Sequence, residues 1–544
     1  MARLNLQNSF LHSQATKGNY SRRELLRLAA AVVSPVGYAL TSAHGTLKHN
    51  PFSLGVASGA PNHHSVVLWT RLMPDSSSGN MQFAEADVSV KWEVADDENF
   101  KINRRTGQVV ALAALAHSVH LELDGLQSDR WYFYRFQWGD AQSTTGRTRT
   151  LPHPEAMVQK LRLAYASCQR WEHGYFSAYE HMAQENLDMV LFLGDYIYEY
   201  AAAANPVRLP TGGWVTSLSD YRNRYALHKS EKSLQAMHAQ CPWLVTWDDH
   251  EVSNDYAGLV RGFSGNITLD FEAQRAQAYQ AFYEHVPLRA SALTRSLEGL
   301  ARGAEMRIYG QVAYGKLASI YLLDDRQYRD RQVCNKGLGF GSGWVDPAQC
   351  EEWLNPQRTL LGSTQEQWVN QSFANARNDQ RVWNVLAQQT LFGRRDYKLG
   401  AGQSLWNDGW DGYASARQRM TQSMQNNALK NPVLIGGDVH ENWVGHVMAD
   451  AYKDDSAKLG VEFCGAGITA RSAGNSKLTE RLAENPHFIF ADSERKGYGV
   501  VEFTPKQIQT ELRVVDDVRQ PQTKIETLAK FEVEAGVPQV HRKA

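Results

Sequence analysis

Residues 433–443 read "VLIGGDVHENW": an apolar run, two glycines, then Asp438, His440 and Trp443. A short apolar run closed by glycine reads as a buried strand, and unpaired polar groups have no place inside one. Asp438 and His440 therefore stand at its carboxyl end. The same layout recurs three times. "LRLAYASCQR" (161–170) closes on Cys168, and "LDMVLFLGDYIYEY" (187–200) on Asp195, with Tyr198 three residues on. "CPWLVTWDDHEVSND" (241–255) closes on Asp248, Asp249 and His250, with Asn254 close behind. In open α/β sheets ligands bind beyond the carboxyl ends of strands.

Taken singly, each feature is ordinary. An Asp after Gly is usually a turn residue, a His at a strand end is usually just hydrogen-bonded, and a Cys after a strand is usually a small buried hydrophobe. Four donor-bearing ends in one domain instead suggest a metal site. Cys and Tyr anions suit a ferric or similar transition ion, whereas carboxylates and carbonyls suit a hard ion such as Ca²⁺, Mg²⁺ or Mn²⁺. A mixed set implies two different metals, with Asp195 best placed to bridge them. Two metals about 3.5–4 Å apart clamp both oxygens of a phosphoryl transfer and activate a hydroxide.

Outward from these ends, residues 160 to about 515 alternate apolar strands with helical stretches, the pattern of an α/β or layered α+β domain. "LSDYRNRYALHKSEKSLQAMHAQ" reads as helical with an N-cap at Ser219, and "FEAQRAQAYQAFYEHVPLR" as a helix stopped near Pro287. Residues 50–150 read as all-β. In "ADVSVKWEVADD", Val88, Val90, Trp92 and Val94 alternate with Ser89, Lys91 and Glu93. The Tyr after the Gly-Leu turn in "GLQSDRWYFYRFQWGD" resembles the tyrosine corner of immunoglobulin-like sandwiches. The expected organisation is α+β: 1–45 an export signal, 46–152 an immunoglobulin-like β-sandwich, 153–517 the catalytic domain, 518–544 a polar tail.

The N-terminus, "SRRELLRLAAAVVSPVGYAL", pairs Arg22 and Arg23 with a short apolar stretch that Arg27 interrupts. Ser-Arg-Arg-x-Leu-Leu has the form of a twin-arginine signal, and the stretch is too short and polar to span a bilayer. Export, with the twin-arginine machinery as partner and a periplasmic or extracellular destination, is expected; a stable membrane span is not. The chain has 544 residues and a formal net charge of −1, which gives no global electrostatic reason to bind nucleic acid. Its cysteines number five, so at least one is unpaired; Cys334 and Cys350 flank a Gly-rich loop that a disulfide can close. "HEVSN" lacks the second His of a zincin, and no G-x-S-x-G elbow is present.

"GDYIYE", "WDDHEV" and "GGDVHENW", with "YASCQ", "LLDDRQYR", "LAQQT" and "DGWDGYASARQR" in order around them, resemble the PhoD-like alkaline phosphatases of the metallophosphoesterase superfamily. "LGVASGAPNHHSVVLWTRLMP" resembles that family's N-terminal β-domain, although His63 and His64 stand where an acidic residue is common. The resemblance implies a layered αββα catalytic core and phosphate-ester hydrolysis, of monoesters and diesters, by a metal-bound hydroxide at a binuclear Fe³⁺/Ca²⁺ site. Cys168, Asp195 and Tyr198 match the iron ligands. His440 or Asp438 completes the iron shell while the other faces calcium. Asp249 and Asn254 match the region that supplies the second metal, and His250 the position beside the substrate phosphate. Arg170 and Arg326, next to strand ends, each can reach that phosphate or form a salt bridge. The substrates implied are phosphate-ester small molecules or phospholipid- and teichoic-type diesters. The alternatives are a phospholipase D-like phosphodiesterase on the same scaffold and a non-catalytic exported protein that binds metal or phosphate.

Overall fold

The computed structural model describes residues 49–73, 86–262, 268, 270–294, 305–335 and 340–543. The export signal expected over 1–45 lies outside them. Among the described residues no helix is long and apolar enough to cross a membrane. The chain divides into two compact units: Met1–Pro152 with Val215–Leu244 and Glu272–Arg307, and His153–Trp214 with Val245–Phe271 and Ile308–Ala544.

The first unit is built on alternation. Strands β1 (Val56–Gly59), β2 (Val66–Arg71) and β5 (Ser118–Leu123) run antiparallel, Val56 opposite Thr70 and Val66 opposite Leu123. Strands β3 (Val88–Ala95), β4 (Arg105–Ala111) and β6 (Trp131–Trp138) form a second antiparallel sheet, extended by β7 (Ala141–Gln142) and β8 (Gly146–Arg149) on β6. Val56, Val66, Leu68 and Val119 from one sheet meet Val88, Val90, Val94, Tyr134 and Phe136 from the other in one core, with Trp92 packed against it. The Tyr132 hydroxyl accepts the Gln127 N–H at 2.8 Å, five residues upstream.

The unit does not stop at residue 152, as the sequence boundary had it, because helices supply part of its packing. The helix Phe271–His285 ends where expected, before Pro287. Its Glu284 carbonyl accepts the Trp69 indole N–H at 3.0 Å, and Tyr283 stacks on His120 with ring centroids 4.3 Å apart. The helix Leu218–Lys229 is capped by Ser217, not Ser219: Ser217 and Asp220 satisfy each other's backbone N–H in a capping box. Ser217 wins because its partner carboxylate stands three residues on.

The second unit holds the remaining strands, β11 only from Val245 onward: β9 (Leu161–Ala166), β10 (Met189–Leu193), β11 (Trp243–Thr246), β12 (Gly310–Tyr314), β13 (Ala318–Leu322), β14 (Trp344–Val345), β15 (Trp383–Ala387), β16 (Leu405–Trp406) and β17 (Pro432–Gly436). They continue with β18 (Asn442–Met448), β19 (Lys458–Cys464), β20 (Phe488–Asp492), β21 (Gly497–Phe503), β22 (Gln507–Val515), β23 (Ile525–Glu534) and β24 (Val540–Lys543). One sheet orders β24-β23-β22-β21-β9-β10-β11, with β9 and β10 parallel. The other orders β12-β13-β15-β17-β19-β18-β20, parallel from β13 to β19. Strands β14 and β16 pair as a short ribbon. The two sheets pack face to face: Trp383 meets Phe503, and Phe463 and Phe490 both meet Phe531. The helices Gly362–Asp379 and Ala414–Asn426 cover the second sheet through Val369, Phe373, Met420 and Met424.

Residues 518–544 are not a tail. β23 pairs with β22 along its length and β24 with β23, and the buried Phe531, Val533 and Val540 anchor them. Apolar residues at every second position were the signal; frequent charges on the outward face hid it. Cys334 and Cys350 are joined in a disulfide, Cα atoms 6.1 Å apart, while Cys168, Cys241 and Cys464 are free and buried.

Glu462 of β19 is fully buried, and its carboxylate accepts the N–H groups of Phe392 (2.6 Å) and Gly393 (2.8 Å). Burial outweighs these bonds and raises its pKa to about 7. The folded state thus keeps this proton to higher pH than the unfolded chain, so stability present below pH ~4.5 is lost as pH rises through ~7. Unfolding in urea at pH 5 and pH 8 is expected to give a lower midpoint at pH 8. Glu462→Gln is expected to remove this part of the fall, on the order of 3 kcal/mol.

Candidate metal centre

The double glycine of the opening stretch has a steric reason. A Cβ on Gly436 would lie 2.4 Å from the Thr390 carbonyl oxygen, and one on Gly437 2.5 Å from the Ser167 hydroxyl. Only bare backbone lets the end of β17 close against the ends of β15 and β9. Gly194, at φ +102°, does the same for β10: a Cβ there would meet Asp248 Cβ at 2.4 Å. Past these points the chain turns at once. Cys168, Asp195, Asp438 and His440 all have positive φ, at 54°, 58°, 65° and 56°. Left-handed backbone is uncommon outside glycine, and its concentration at donor residues marks strain held for a function. Glu251 ties two ends together, its carboxylate accepting the N–H groups of Asp195 (3.1 Å), Tyr196 (2.6 Å) and Asp248 (2.8 Å).

The donors gather into overlapping groups. Cys168, Asp195 and His440 offer ligand atoms all within 4.8 Å of one another, and so do Asp195, Asp249 and His250. Two further groups are Asp248, Asp249 and Asp438, and Asp249, Asp255 and Asp408. Asp195 belongs to the first two groups, the position expected of a bridge. Of Asp438 and His440, His440 lies with the thiol and Asp438 with the carboxylates. Tyr198 joins the first group, its hydroxyl 2.7 Å from Asp195 Oδ2 and 3.1 Å from His440 Nε2. His440 Nδ1 lies 2.9 Å from the Arg471 carbonyl, which can only accept, so Nδ1 carries the proton and Nε2 presents its lone pair to the group.

The chemistry of these groups fits cations. Among the described residues the buried oxygens Asp195 Oδ1, Asp248 Oδ2 and Asp249 Oδ1 have no hydrogen-bond partner. Burial, then Asp195, pushes the Cys168 thiol and the Tyr198 phenol well above their usual range. Burial also raises Asp248 and Asp438 against the pull of Arg326. Orphaned carboxylate oxygens beside a thiol and a phenol that only a nearby positive charge would ionise make a site for highly charged cations.

His250 is held by Glu199, with Nδ1 to Oε2 at 2.7 Å, and its ring lies 4.2 Å from that of Tyr198. Burial lowers its pKa, but Asp249 and Glu199 outweigh burial and hold it well above the usual histidine range. Glu199 also accepts the Asn254 N–H at 2.8 Å, and the Asn254 side-chain oxygen accepts the Tyr200 hydroxyl at 2.8 Å. Of the two second-metal candidates, Asp249 joins three of the donor groups, and Asn254 touches Glu199, the partner of His250.

The arginines separate. Arg170 donates through Nε to Glu172 Oε1 (2.8 Å), its guanidinium 5.2 Å from the Tyr198 ring centre and 4.6 Å from that of Tyr200. Arg326 does not reach out to a substrate phosphate as the sequence suggested. It is fully buried, and all three nitrogens face carboxylates: Nε donates to Asp248, NH1 to Asp408 (2.5 Å) and NH2 to Asp438 (3.1 Å). Too many acids meet there for a surface role, so Arg326 is their counter-charge. Arg329 adds a second, donating to Asp408 Oδ1 at 2.8 Å.

Sequence reasoning gave no role to Asp255, Asp408, Glu199, Glu251 or Arg329. Glu199 and Glu251 lie inside the quoted motifs, as does Asp408, the first residue of "DGWDGY". Acids so close to the donors were a signal available to be read.

Two facing sheets whose strand ends unite a thiol, a phenol, imidazoles and linked carboxylates define a protein with overlapping candidate metal-binding clusters. The family model for PhoD-like phosphatase matches residues 163–512, and that for the PhoD-like phosphatase N-terminal domain matches residues 39–152. Alkaline phosphatase D of Bacillus subtilis (strain 168) is 43% identical over 514 residues, covering 93% of this chain and 85% of that one. A solved structure described as that of PhoD superposes with a TM-score of 0.83 at 41% identity, covering 92% of this chain and 94% of that chain. The chain belongs to the PhoD-like phosphatase family.

Proposed function

We propose that this protein is an exported phosphatase that cleaves phosphate monoesters and diesters at a centre holding a ferric ion and calcium. The observation that carries the reading is the joined donor set, in which Asp195 belongs both to the group with Cys168 and His440 and to that with Asp249 and His250. Cys168, Asp195, Tyr198 and His440 would hold iron; Asp195, Asp249 and Asp438, with Asp248 and the Asn254 amide at hand, would hold calcium. When bound, the pair supplies Lewis acidity toward the phosphoryl oxygens and activates the attacking water.

The chain's own residues do the rest. Glu199 fixes the His250 ring through Nδ1 and favours its protonated form, so Nε2–H donates to a phosphoryl or leaving-group oxygen. Arg170, steadied by Glu172 and the Tyr198 and Tyr200 rings, adds positive charge beside that oxygen. Arg326 keeps Asp248 and Asp438 in position. The Cys334–Cys350 disulfide supports an oxidising destination, in line with the Ser-Arg-Arg-x-Leu-Leu segment. The two packed sheets and the Tyr132–Gln127 bond support the immunoglobulin-like reading of the first unit.

Elemental analysis of protein from the exported fraction is expected to give near-stoichiometric iron with calcium, and a visible thiolate or phenolate charge-transfer band. Chelation is expected to remove calcium and activity together, and added calcium to restore both. Zinc alone, or full turnover without metal, would sink the reading. Rates on p-nitrophenyl phosphate and its bis ester decide between monoesterase and diesterase.

A further inference from the structure

Next to His440 lies a cavity of about 410 Å³ whose wall includes Arg471 and Lys496. Both touch His440 through the backbone: Lys496 donates to its carbonyl at 2.6 Å, and the Arg471 carbonyl receives its Nδ1–H. Their cationic ends have no carboxylate partner among the described residues. The Arg471 guanidinium donates to the carbonyls of Ala204 (2.8 Å) and Asn205 (2.6 Å), leaving three of its five N–H groups uncommitted. The Lys496 ammonium donates to the His440 carbonyl, to Ser472 Oγ (2.8 Å) and, at 3.4 Å, to the Ala466 carbonyl, and the residue is only 6% exposed. With its three N–H groups held by neutral oxygens, Lys496 contributes its charge to the cavity through space, while Arg471 keeps donors free to meet an anion.

The rest of the lining agrees. His173 Nδ1 accepts the Arg471 N–H at 3.0 Å, so a neutral ring keeps its proton on Nε2 as a donor. Of the acids in the wall, Asp517 is paired with Arg519 at 2.9 Å, while Asp516 keeps its charge and accepts the N–H groups of Asp517 (3.1 Å) and Lys524 (3.0 Å). The third, Glu494, accepts the Asn475 N–H at 3.3 Å. Arg495, also in the wall, is paired with Glu526.

We propose that this cavity is an anion subsite beside the catalytic centre, which takes a phosphate-class dianion on the Arg471 guanidinium within the field of the Lys496 charge. The dianion is either the second phosphoryl group of a substrate or free inorganic phosphate. The substrate arm rests on the phosphatase reading above; the binding arm does not.

Two measurements test it, both on the full chain. Inorganic phosphate is titrated calorimetrically into the fully metallated protein, with and without Arg471→Met. The subsite predicts binding that Arg471→Met weakens by about tenfold or more and Arg471→Lys largely keeps. In parallel, the ratio of kcat/KM for a sugar bisphosphate over the matching monophosphate is measured for the otherwise unchanged protein and for Arg471→Met. A fall of about tenfold in that ratio, expressed in KM, assigns the subsite to a substrate's second phosphoryl group. Weakened phosphate binding with an unchanged ratio assigns it to free phosphate. Affinity and ratio both within about twofold of the parent overturn the subsite. A fully metallated parent that hydrolyses neither sugar phosphate overturns the phosphatase reading instead and leaves the titration to judge the subsite.

Discussion

Asp195→Asn is expected to lower kcat/KM on p-nitrophenyl phosphate by about three orders of magnitude or more, because a metal's stabilisation of transition-state charge amounts to several kcal/mol. The substitution is nearly isosteric, so the backbone N–H bond to Glu251 and the packing should survive. What goes is charge. Oδ2 now receives the Tyr198 hydroxyl and lies 3.8 Å from His440 Nε2, while Oδ1 has no partner among the described residues. An amide offers one neutral oxygen and a donor where two anionic oxygens stood. Because Asp195 belongs to two donor groups, both iron and calcium should fall below stoichiometry, and the visible band should fade with the iron. Elemental analysis and the spectrum measure this directly, with circular dichroism as the control for folding. Retention of both metals with full activity would remove Asp195 from the centre.

The second large effect is expected at Arg326. Its guanidinium reaches Asp248, Asp408 and Asp438 with three separate nitrogens and has no exposed surface. Arg326→Met leaves those acids buried and uncompensated, which costs about 3–5 kcal/mol when one partner of a buried ion pair is lost. Arg326→Lys is expected to rescue little, since one ammonium cannot span three carboxylates set by a planar fork. Denaturant midpoints of the metallated proteins, alongside kcat, are the measurements. A midpoint unchanged in Arg326→Met would mean that bound cations alone hold these acids.

Much of this was legible in the chain. Each donor-bearing strand end shows as an apolar run breaking into Gly-Asp, Ser-Cys or Asp-Asp-His, because a buried parallel strand must be apolar throughout and can present charge only where it stops. The helix Phe271–His285 and the strands of the first unit follow from local periodicity. The strands at 525–543 were missed because charged residues such as Glu526, Lys530, Glu534, Arg542 and Lys543 punctuate them on the outward face, a pattern that also describes a solvated tail until the pairing partner is known.

The sequence by itself determined which residue types stand at the strand ends, and hence the family. Only the tertiary structure decided their partnerships. His440 goes with Cys168, Asp438 with Asp248 and Asp249, and Arg326 with acids 78 to 112 residues away. The reason is physical. Donor type is fixed by covalent chemistry, but whether an arginine meets a substrate or a buried carboxylate depends on which strand ends two packed sheets bring within a few ångströms, and no local signal carries that distance.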